Sequence, residues 1–141
     1  MIVLDTNVVS EIQKQNVDPN VEAWFDRQAL ASLWLTTVVV AELRYGAALL
    51  DPGKKRTAFE KLIDTYVNEL FAGRIAAFDL SSTTLFAVNA AEAKRDGREV
   101  KGFADAAIAA IALSKGFAVA TRDVRPFQDM GVEVINPWQQ D

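Results

Sequence analysis

The chain has no cysteine and no histidine among its 141 residues. The lack of cysteine excludes disulfide bonds, thiolate metal sites and cysteine nucleophiles. The lack of histidine excludes Ser-His-Asp triads, zinc sites with histidine ligands and acid–base catalysis by imidazole. An enzymatic site in this chain is therefore built from carboxylate, hydroxyl, amide, lysine or arginine groups. A carboxylate site without histidine favours an oxygen-loving ion such as Mg²⁺ or Mn²⁺.

Long hydrophobic runs are also missing. The longest strictly apolar run, residues 106–113, is far below the roughly 18 residues that a membrane span needs. The N-terminus lacks the apolar core of a signal peptide, because Asp5 interrupts it at once. Half of the residues are hydrophobic and 24% are charged, which is typical of a globular rather than a disordered chain. We therefore expect one soluble domain over residues 1–141, in the cytoplasm and without a membrane partner.

Short apolar runs alternate with helical patterns along the chain. The runs predict buried strands of a parallel sheet, which do not alternate in polarity, at residues 2–4, 33–36, 75–78, 117–121 and 132–135. Apolar periodicity and cap residues predict helices at residues 21–30, 38–50 (with Thr37 as N-cap), 54–72, 85–96 and 103–115. This alternation indicates an α/β fold whose mostly parallel sheet is covered on both faces. Such sheets bind ligands at the carboxyl ends of their strands, near the point where the strand order reverses.

Four acidic residues lie where α/β proteins place functional groups. Asp5 and Asp123 closely follow predicted strands, and capping of the next helix would account for either one alone. Asp105 lies in the first turn of an apolar helix, where the helix dipole stabilises an acid by about 0.3–1 kcal/mol. Glu42 lies in an apolar helical stripe, so it needs water, a base such as Arg44, or a bound cation as its partner.

Taken together, the four acids predict one cleft. Asp5 and Asp123 lie at the carboxyl ends of strands, and Glu42 and Asp105 lie early in helices that begin near the same edge. Their mutual repulsion would be severe without bound cations. Without these four residues the chain has 15 acidic and 15 basic residues, so its net charge of −4 equals the charge of the predicted site. Two divalent ions would neutralise that charge.

Five segments then carry a family pattern, in order along the chain: Ile-Val-Leu-Asp-Thr-Asn at 2–7, Thr-Thr-Val-Val-Val-Ala-Glu-Leu-Arg-Tyr-Gly at 36–46, Asp-Ala-Ala-Ile-Ala-Ala-Ile-Ala at 105–112, Thr-Arg-Asp-Val-Arg-Pro-Phe at 121–127, and Gly-Val-Glu-Val-Ile-Asn-Pro-Trp at 131–138. They resemble the PIN domain, and more narrowly the VapC-type toxins of prokaryotic toxin–antitoxin pairs, close to the FitB-like branch. The resemblance implies a PIN-like three-layer α/β/α sandwich with a central, mostly parallel five-stranded sheet in the order 3-2-1-4-5.

The resemblance also implies Mg²⁺- or Mn²⁺-dependent hydrolysis of RNA phosphodiester bonds, a VapB-like antitoxin as partner, and a homodimer. Its catalytic and metal-binding acids fall, by position, on Asp5, Glu42, Asp105 and Asp123. Thr121 matches a hydroxyl near the metal, and Asn7 in the first motif is a second supporting residue. The position of Asp123 is frequently Asn in this branch, so Asp123 either binds an ion or orients the attacking water. Hydrolysis by a metal-activated water suits a chain without histidine.

Two basic residues are candidates for contact with RNA phosphates. The net charge of −4 is unusual for a protein that binds nucleic acid, which usually presents a basic surface. Arg122 and Arg125 nevertheless flank the predicted site.

Two alternatives to a ribonuclease remain open. The first is a catalytically silent PIN-fold binding module, and the second is another phosphate-handling α/β protein. A haloacid-dehalogenase-like phosphatase needs a second Asp two residues after its nucleophile, where this chain has Asn7. A receiver-type signalling domain needs paired acids after the first strand, which are missing, although Asp79 suits its phospho-acceptor position.

Overall fold

The computed structural model describes residues 1–139, and the last two residues of the predicted domain, 140 and 141, lie outside the described residues. Its five strands are β1 (Ile2–Leu4), β2 (Leu33–Thr36), β3 (Ile75–Ala76), β4 (Ala118–Ala120) and β5 (Val134–Ile135). All neighbouring pairs are parallel, and the strand order is β3-β2-β1-β4-β5. The predicted sheet order and the three-layer α/β/α architecture are therefore confirmed. The assignment of the chain to one domain stays a prediction.

Seven α-helices connect the strands within residues 1–139: α1 (Thr6–Ile12), α2 (Pro19–Asp26), α3 (Thr37–Ala48), α4 (Lys54–Thr65), α5 (Leu80–Arg95), α6 (Phe103–Lys115) and α7 (Val124–Asp129). Helix α6 has the predicted bounds and ends at Gly116, whose left-handed backbone (φ 71°) suits glycine. Every side chain from residue 106 to 112 is buried, so the apolar character of this helix reflects its central position.

Three helix starts differ from the prediction because other side chains cap them. Thr36, rather than Thr37, caps α3 by accepting a hydrogen bond from the N–H of Val39 at 3.1 Å. Asp79 caps α5, so that helix begins five residues earlier than predicted. Asp18 caps α2 by accepting a hydrogen bond from the N–H of Asn20 at 2.8 Å, so that helix begins at Pro19, ahead of the predicted range. In each case the capping residue precedes the first apolar residue of the helical pattern. The predicted start was placed at that apolar residue, and it therefore came too late.

The predicted helix 54–72 is not α-helical throughout. It continues from α4 as a π-helical turn, Tyr66–Leu70, in which the N–H of Phe71 donates to the carbonyl of Tyr66 at 2.8 Å. Residues five apart lie on different sides of an α-helix, whereas the wider π turn brings them together. Tyr66 and Phe71 are both buried, and their rings meet edge to face at 6.0 Å.

The centre of the sheet places the site. Strand β1 pairs with β2 on one side and β4 on the other, and Leu4 is aligned with Ala120. One residue further on, the N–H of Asp5 donates to the carbonyl of Ala120 at 2.9 Å. Asp5 and Thr121 therefore leave the sheet side by side, at the point where the strand order reverses. Among the helices of residues 1–139, none has the length and apolarity to cross a membrane.

Candidate active site

Asp5 is a buried carboxylate with two different tasks. Its side chain is 5% exposed. Oδ1 accepts a hydrogen bond from the N–H of Thr6 at 2.8 Å and so caps α1. Oδ2 accepts a hydrogen bond from the hydroxyl of Thr121 at 2.7 Å, which belongs to the other strand end. Oδ2 also accepts a hydrogen bond from Asn7 Nδ2 at 3.4 Å, so helix capping explains only one of the three hydrogen bonds that the Asp5 side chain accepts.

Thr121 and Asn7 fix the geometry around Asp5. The Thr121 hydroxyl oxygen accepts hydrogen bonds from Asn7 Nδ2 at 3.2 Å and from the N–H of Asp123 at 3.0 Å. Asn7 Oδ1 accepts from the N–H of Arg122 at 3.2 Å. These bonds tie the loop after β4 to the start of α1. Both residues that the sequence identified as supporting lie in contact with the site.

Of the partners that the sequence left open for Glu42, the base Arg44 is not the one that the structure shows. Arg44 pairs instead with Asp64, at 3.1 Å. The Glu42 side chain is exposed at the surface of α3 rather than enclosed in the apolar stripe, and its Oε1 accepts a hydrogen bond from the Thr6 hydroxyl at 2.7 Å. The residue after Asp5 thus orients the second predicted acid.

Asp105 and Asp123 complete the acidic group. Burial raises the pKa of Asp105 from 3.8 to about 6, with further contributions from the negative charges of Asp5, Asp123 and Glu42. Burial also raises the pKa of Asp5, against hydrogen bonds from Thr121 and Thr6 that lower it. Asp123 stands at the N-cap position of α7, but its side chain makes no capping hydrogen bond. Helix capping therefore does not explain the presence of Asp123 at this position.

The acids face one open cleft of about 450 Å³. Its lining includes all four predicted acids and both partners of the Thr6–Glu42 hydrogen bond, together with residues on α1 and near the C-terminus. The residues that line the cleft are Asp5, Thr6, Asn7, Ser10, Glu11, Lys14, Glu42, Asp105, Arg122, Asp123 and Trp138. The cleft lies at the carboxyl edge of the sheet, where the strand order predicted a ligand site.

The two candidate phosphate contacts are placed differently. Arg122 lines the cleft, and its Cζ lies 5.2 Å from the centre of the Trp138 ring. Arg125 is not among the residues that line the cleft, and its Nε lies 3.7 Å from Asp129 Oδ2. The structure therefore brings only Arg122 beside the four acids.

Sequence reasoning did not assign five residues of the cleft to the site: Ser10, Glu11, Lys14, Trp138 and Thr6. The first three follow Asn7 at spacings of three, four and seven residues, which is the spacing of one helical face. This polar face of α1 was the signal that could have found them. No comparable signal pointed to Trp138, because its place in the cleft depends on how the C-terminal segment folds back.

The donor set fits a hard divalent cation. The oxygen donors of the cleft are carboxylates, hydroxyls and the amide of Asn7. Burial, and after it the negative charges of the neighbouring acids, raises the pKa values of Asp5 and Asp105. Within residues 1–139 no three acidic side chains are grouped closely enough to surround an ion directly.

Asp79, the residue that suited a receiver-type phospho-acceptor, has a different task. Its Oδ1 accepts hydrogen bonds from the N–H of Ser82 at 3.2 Å and from the Ser81 hydroxyl at 2.7 Å. These bonds, with one from the Ser82 hydroxyl, lower the pKa of Asp79. Asp79 is therefore the cap of α5 and lies outside the acidic cleft.

Comparison with known proteins gives consistent matches. The PIN domain model matches residues 2–133. The chain is 46% identical over 139 residues to VapC ribonuclease Y4jK of Sinorhizobium fredii, which covers 99% of both chains. It is 41% identical over 138 residues to toxin FitB of Neisseria gonorrhoeae, which covers 98% of this chain and 99% of that protein.

Solved structures match equally well. The crystal structure of FitAcB from Neisseria gonorrhoeae has a TM-score of 0.93 at 41% identity, over 99% of this chain and 100% of that one. A DNA-bound VapBC from Salmonella typhimurium has a TM-score of 0.78 at 20% identity, over 96% of this chain and 97% of that one, which shows the same fold.

Proposed function

The chain belongs to the PIN domain family, among relatives named as VapC and FitB toxins, and on that premise we propose that it is a divalent-metal-dependent ribonuclease. It hydrolyses RNA phosphodiester bonds as the toxin of a VapBC-type toxin–antitoxin pair. The observation that carries this proposal is the convergence of Asp5, Glu42, Asp105 and Asp123 on one cleft. Burial and mutual repulsion raise the pKa of Asp5 and of Asp105, so the cleft attracts a cation.

Asp5, Glu42 and Asp105 hold the principal Mg²⁺ or Mn²⁺ ion in this proposal, partly through water. Asp123 holds a second ion or orients the attacking water. The bound metal supplies a nucleophile at neutral pH by lowering the pKa of water, and it offsets the negative charge of the scissile phosphate. Thr121 orients Asp5, and Thr6 orients Glu42, through the hydrogen bonds described above. Such bonds to ligand side chains hold them in the geometry that an ion requires.

The main RNA contact in this proposal comes from Arg122, which lines the cleft beside the acids. Arg122 lies in the cleft with its guanidinium over the Trp138 ring, which limits its motion. A planar cation held in this way binds phosphate with two parallel hydrogen bonds. Arg125 lies one turn of α7 further along and contacts RNA only outside the cleft. It is therefore the weaker of the two candidate contacts.

We further expect an antitoxin partner and a homodimer. Solved structures similar to this chain are complexes named FitAB, FitAcB and VapBC. Several large apolar side chains of this chain are exposed and offer a surface for protein partners: Tyr45, Leu49, Leu80 and Phe103. RNA and such an antitoxin are both found in the cytoplasm, where we expect the protein to act.

The silent binding module is the alternative that the test must exclude. Full-length protein, freed of any bound antitoxin, is incubated with total RNA in Mg²⁺, in Mn²⁺ and in EDTA. The proposal predicts cleavage with either ion and none in EDTA. Well-folded protein that binds RNA but cleaves none of it with either ion would favour the binding module. Equal cleavage in EDTA would contradict the metal-dependent mechanism.

A further inference from the structure

The pair of Glu11 and Lys14 forms a second charged feature of the cleft, apart from the four acids. Both side chains line the cleft from α1 and the turn that follows it. Lys14 Nζ lies 2.9 Å from Glu11 Oε1, and the N–H of Asp18 donates to Glu11 Oε2 at 3.0 Å. The Glu11 side chain is only 7% exposed, whereas that of Lys14 is 60% exposed. A buried carboxylate therefore holds an ammonium group at the open side of the cleft.

Stability alone gives little reason for this arrangement. Burial of a carboxylate is costly unless its partners compensate, and an ion pair with an exposed lysine contributes little. The N–H of Asp18 needs only a neutral acceptor. The hydrogen bonds from Lys14 and Asp18 lower the pKa of Glu11, and the charge of Arg122 adds to the effect. Glu11 thus interacts with two cations that line the same cleft, Lys14 and Arg122.

We propose that Lys14 is a substrate-positioning residue that contacts an RNA phosphate neighbouring the scissile one, and that Glu11 holds Lys14 in place for that contact. This inference rests on the proposed ribonuclease function, because it concerns the strand that the acidic site would cut. It adds a cation to the cleft that neither the acid pattern nor the family comparison provides.

The position of the pair suits a neighbouring phosphate. Glu11 lies one turn of α1 beyond Asn7, roughly 6 Å along the helix axis, and Lys14 follows in the turn after α1 ends. The Lys14 ammonium carries only N–H donors and a positive charge, so it does not ligate an ion beside Asp5 and suits an anion such as a phosphate instead. The ammonium has three N–H donors, of which Glu11 uses one, so donors remain for a phosphate. The tether to Glu11 removes much of the side-chain freedom that Lys14 would otherwise lose on binding RNA.

The test measures RNA binding and its dependence on salt. A fluorescein-labelled single-stranded RNA of about 20 nucleotides and mixed sequence is titrated with Asp5→Asn protein in Mg²⁺, by anisotropy, over a range of KCl concentrations. The Asp5→Asn background limits cleavage during the measurement. Each phosphate contact to a single strand adds about 0.7 to the slope of log affinity against log salt. Lys14→Ala is expected to weaken binding about fivefold and to reduce the slope by about 0.7.

Two control variants accompany Lys14→Ala. Lys14→Arg keeps the charge and the reach, and it is expected to keep the slope. Lys55→Ala removes an exposed lysine of α4 that does not line the cleft, and it is expected to change neither affinity nor slope. A Lys14→Ala slope equal to that of the parent protein would overturn the inference, even if the parent protein binds RNA well. Failure of the parent protein to bind RNA, together with no cleavage by the wild type, would overturn the proposed function and this inference with it.

The direction in which Glu11→Gln changes RNA affinity distinguishes a positioning role of Glu11 from an effect of its negative charge alone. If Glu11 acted only through its negative charge, its removal would tighten RNA binding, because a repulsive group near the phosphate is lost. The inference predicts the opposite: weaker binding than the parent protein, and no such loss when Lys14 is already alanine. Tighter binding by Glu11→Gln would overturn the positioning role. The thermal midpoint of each variant is measured beside it, so that a loss of fold is recognised.

Discussion

The hydroxyl of Thr121 donates a 2.7 Å hydrogen bond to Oδ2 of Asp5, between residues 116 positions apart in the chain. This bond joins the ends of β4 and β1 at the point where the strand order reverses. The same hydroxyl oxygen accepts from Asn7 Nδ2 and from the N–H of Asp123. One fully buried threonine thus positions an acid that lies 5% exposed and the loop that carries a second acid. The precision of the acidic cleft depends on this contact.

Thr121→Val is expected to lower metal-dependent RNA cleavage by about 10- to 100-fold, as the loss of a bond to a metal ligand typically does. Valine has nearly the same shape, but it leaves Asp5, Asn7 and the N–H of Asp123 without their shared partner. We expect it to cost about 1–3 kcal/mol of unfolding free energy. Initial cleavage rates and urea denaturation measure the two effects. Thr121→Ser, which keeps the hydroxyl, is the matched control, and a Thr121→Val rate equal to wild type would contradict the positioning role.

Asp105→Asn is expected to stabilise the metal-free protein at pH 7.5 and to have little effect near pH 4. The pKa of Asp105 is raised from 3.8 to about 6, so the folded state favours the protonated form. The loss of unfolding free energy that ionised Asp105 causes is therefore absent below about pH 4, grows as the pH rises, and is complete above about pH 6. A shift of that size corresponds to roughly 3 kcal/mol, and solvent screening at a half-buried group reduces it.

Thermal midpoints in EDTA at the two pH values measure this difference between Asp105→Asn and wild type. At pH 7.5 the variant is expected to melt several degrees higher. Addition of Mn²⁺ is then expected to raise the midpoint of the wild type more than that of the variant, because a cation relieves the same repulsion. A difference that is the same at both pH values would contradict the assignment of the raised pKa to Asp105.

Glu42→Gln is expected to slow cleavage by two orders of magnitude or more while it leaves the metal-free fold intact. The side chain is exposed, so its loss changes the unfolding free energy by no more than about 0.5 kcal/mol. A metal ligand contributes several kcal/mol to transition-state stabilisation. Calorimetric titration with Mn²⁺ measures the expected loss of affinity. Glu92→Gln, an exposed acid of α5 outside the cleft, is the control, and equal Mn²⁺ affinity of both variants would exclude Glu42 as a ligand.

Arg122→Glu is expected to weaken RNA binding far more than Arg125→Glu. Arg122 lies in the cleft over the Trp138 ring, whereas Arg125 pairs with Asp129 and is 81% exposed. Loss of a phosphate contact lowers the salt dependence of binding as well as the affinity. Anisotropy titrations with the same labelled RNA at several salt concentrations measure both. Equal effects of the two substitutions would show that long-range charge, rather than contact in the cleft, determines binding.

Much of the fold could be predicted because its signals are local and agree with one another. The apolar run before Asp5 predicted β1, and the alanine-rich stretch after Asp105 predicted a fully buried helix. The strand ends and helix starts then placed four acids at one edge. The strand order itself came from the family resemblance, because local patterns do not specify which strands are neighbours.

The details that could not be predicted depend on contacts between distant residues. For Glu42 the sequence left water, a base such as Arg44 and a bound cation open as partners, and its bond to Thr6 follows from how α3 packs against α1. The π-helical turn at Tyr66 brings Tyr66 and Phe71 together in the core, and the apolar periodicity of an α-helix does not predict such a turn. Glu11 shows no sign of burial in the sequence, because the turn that supplies the Asp18 N–H encloses it only in the folded chain.

The central claim is that the acidic cleft around Asp5 is a metal-dependent ribonuclease site, and its most direct test is Asp5→Asn. Asparagine keeps an oxygen that can cap α1, so we expect a folded protein with a thermal midpoint close to that of the wild type. Wild-type and variant proteins, both free of antitoxin, are compared on total RNA in Mg²⁺ and in Mn²⁺. We predict cleavage by the wild type and none by the variant. Cleavage by folded Asp5→Asn protein at the wild-type rate would contradict the account.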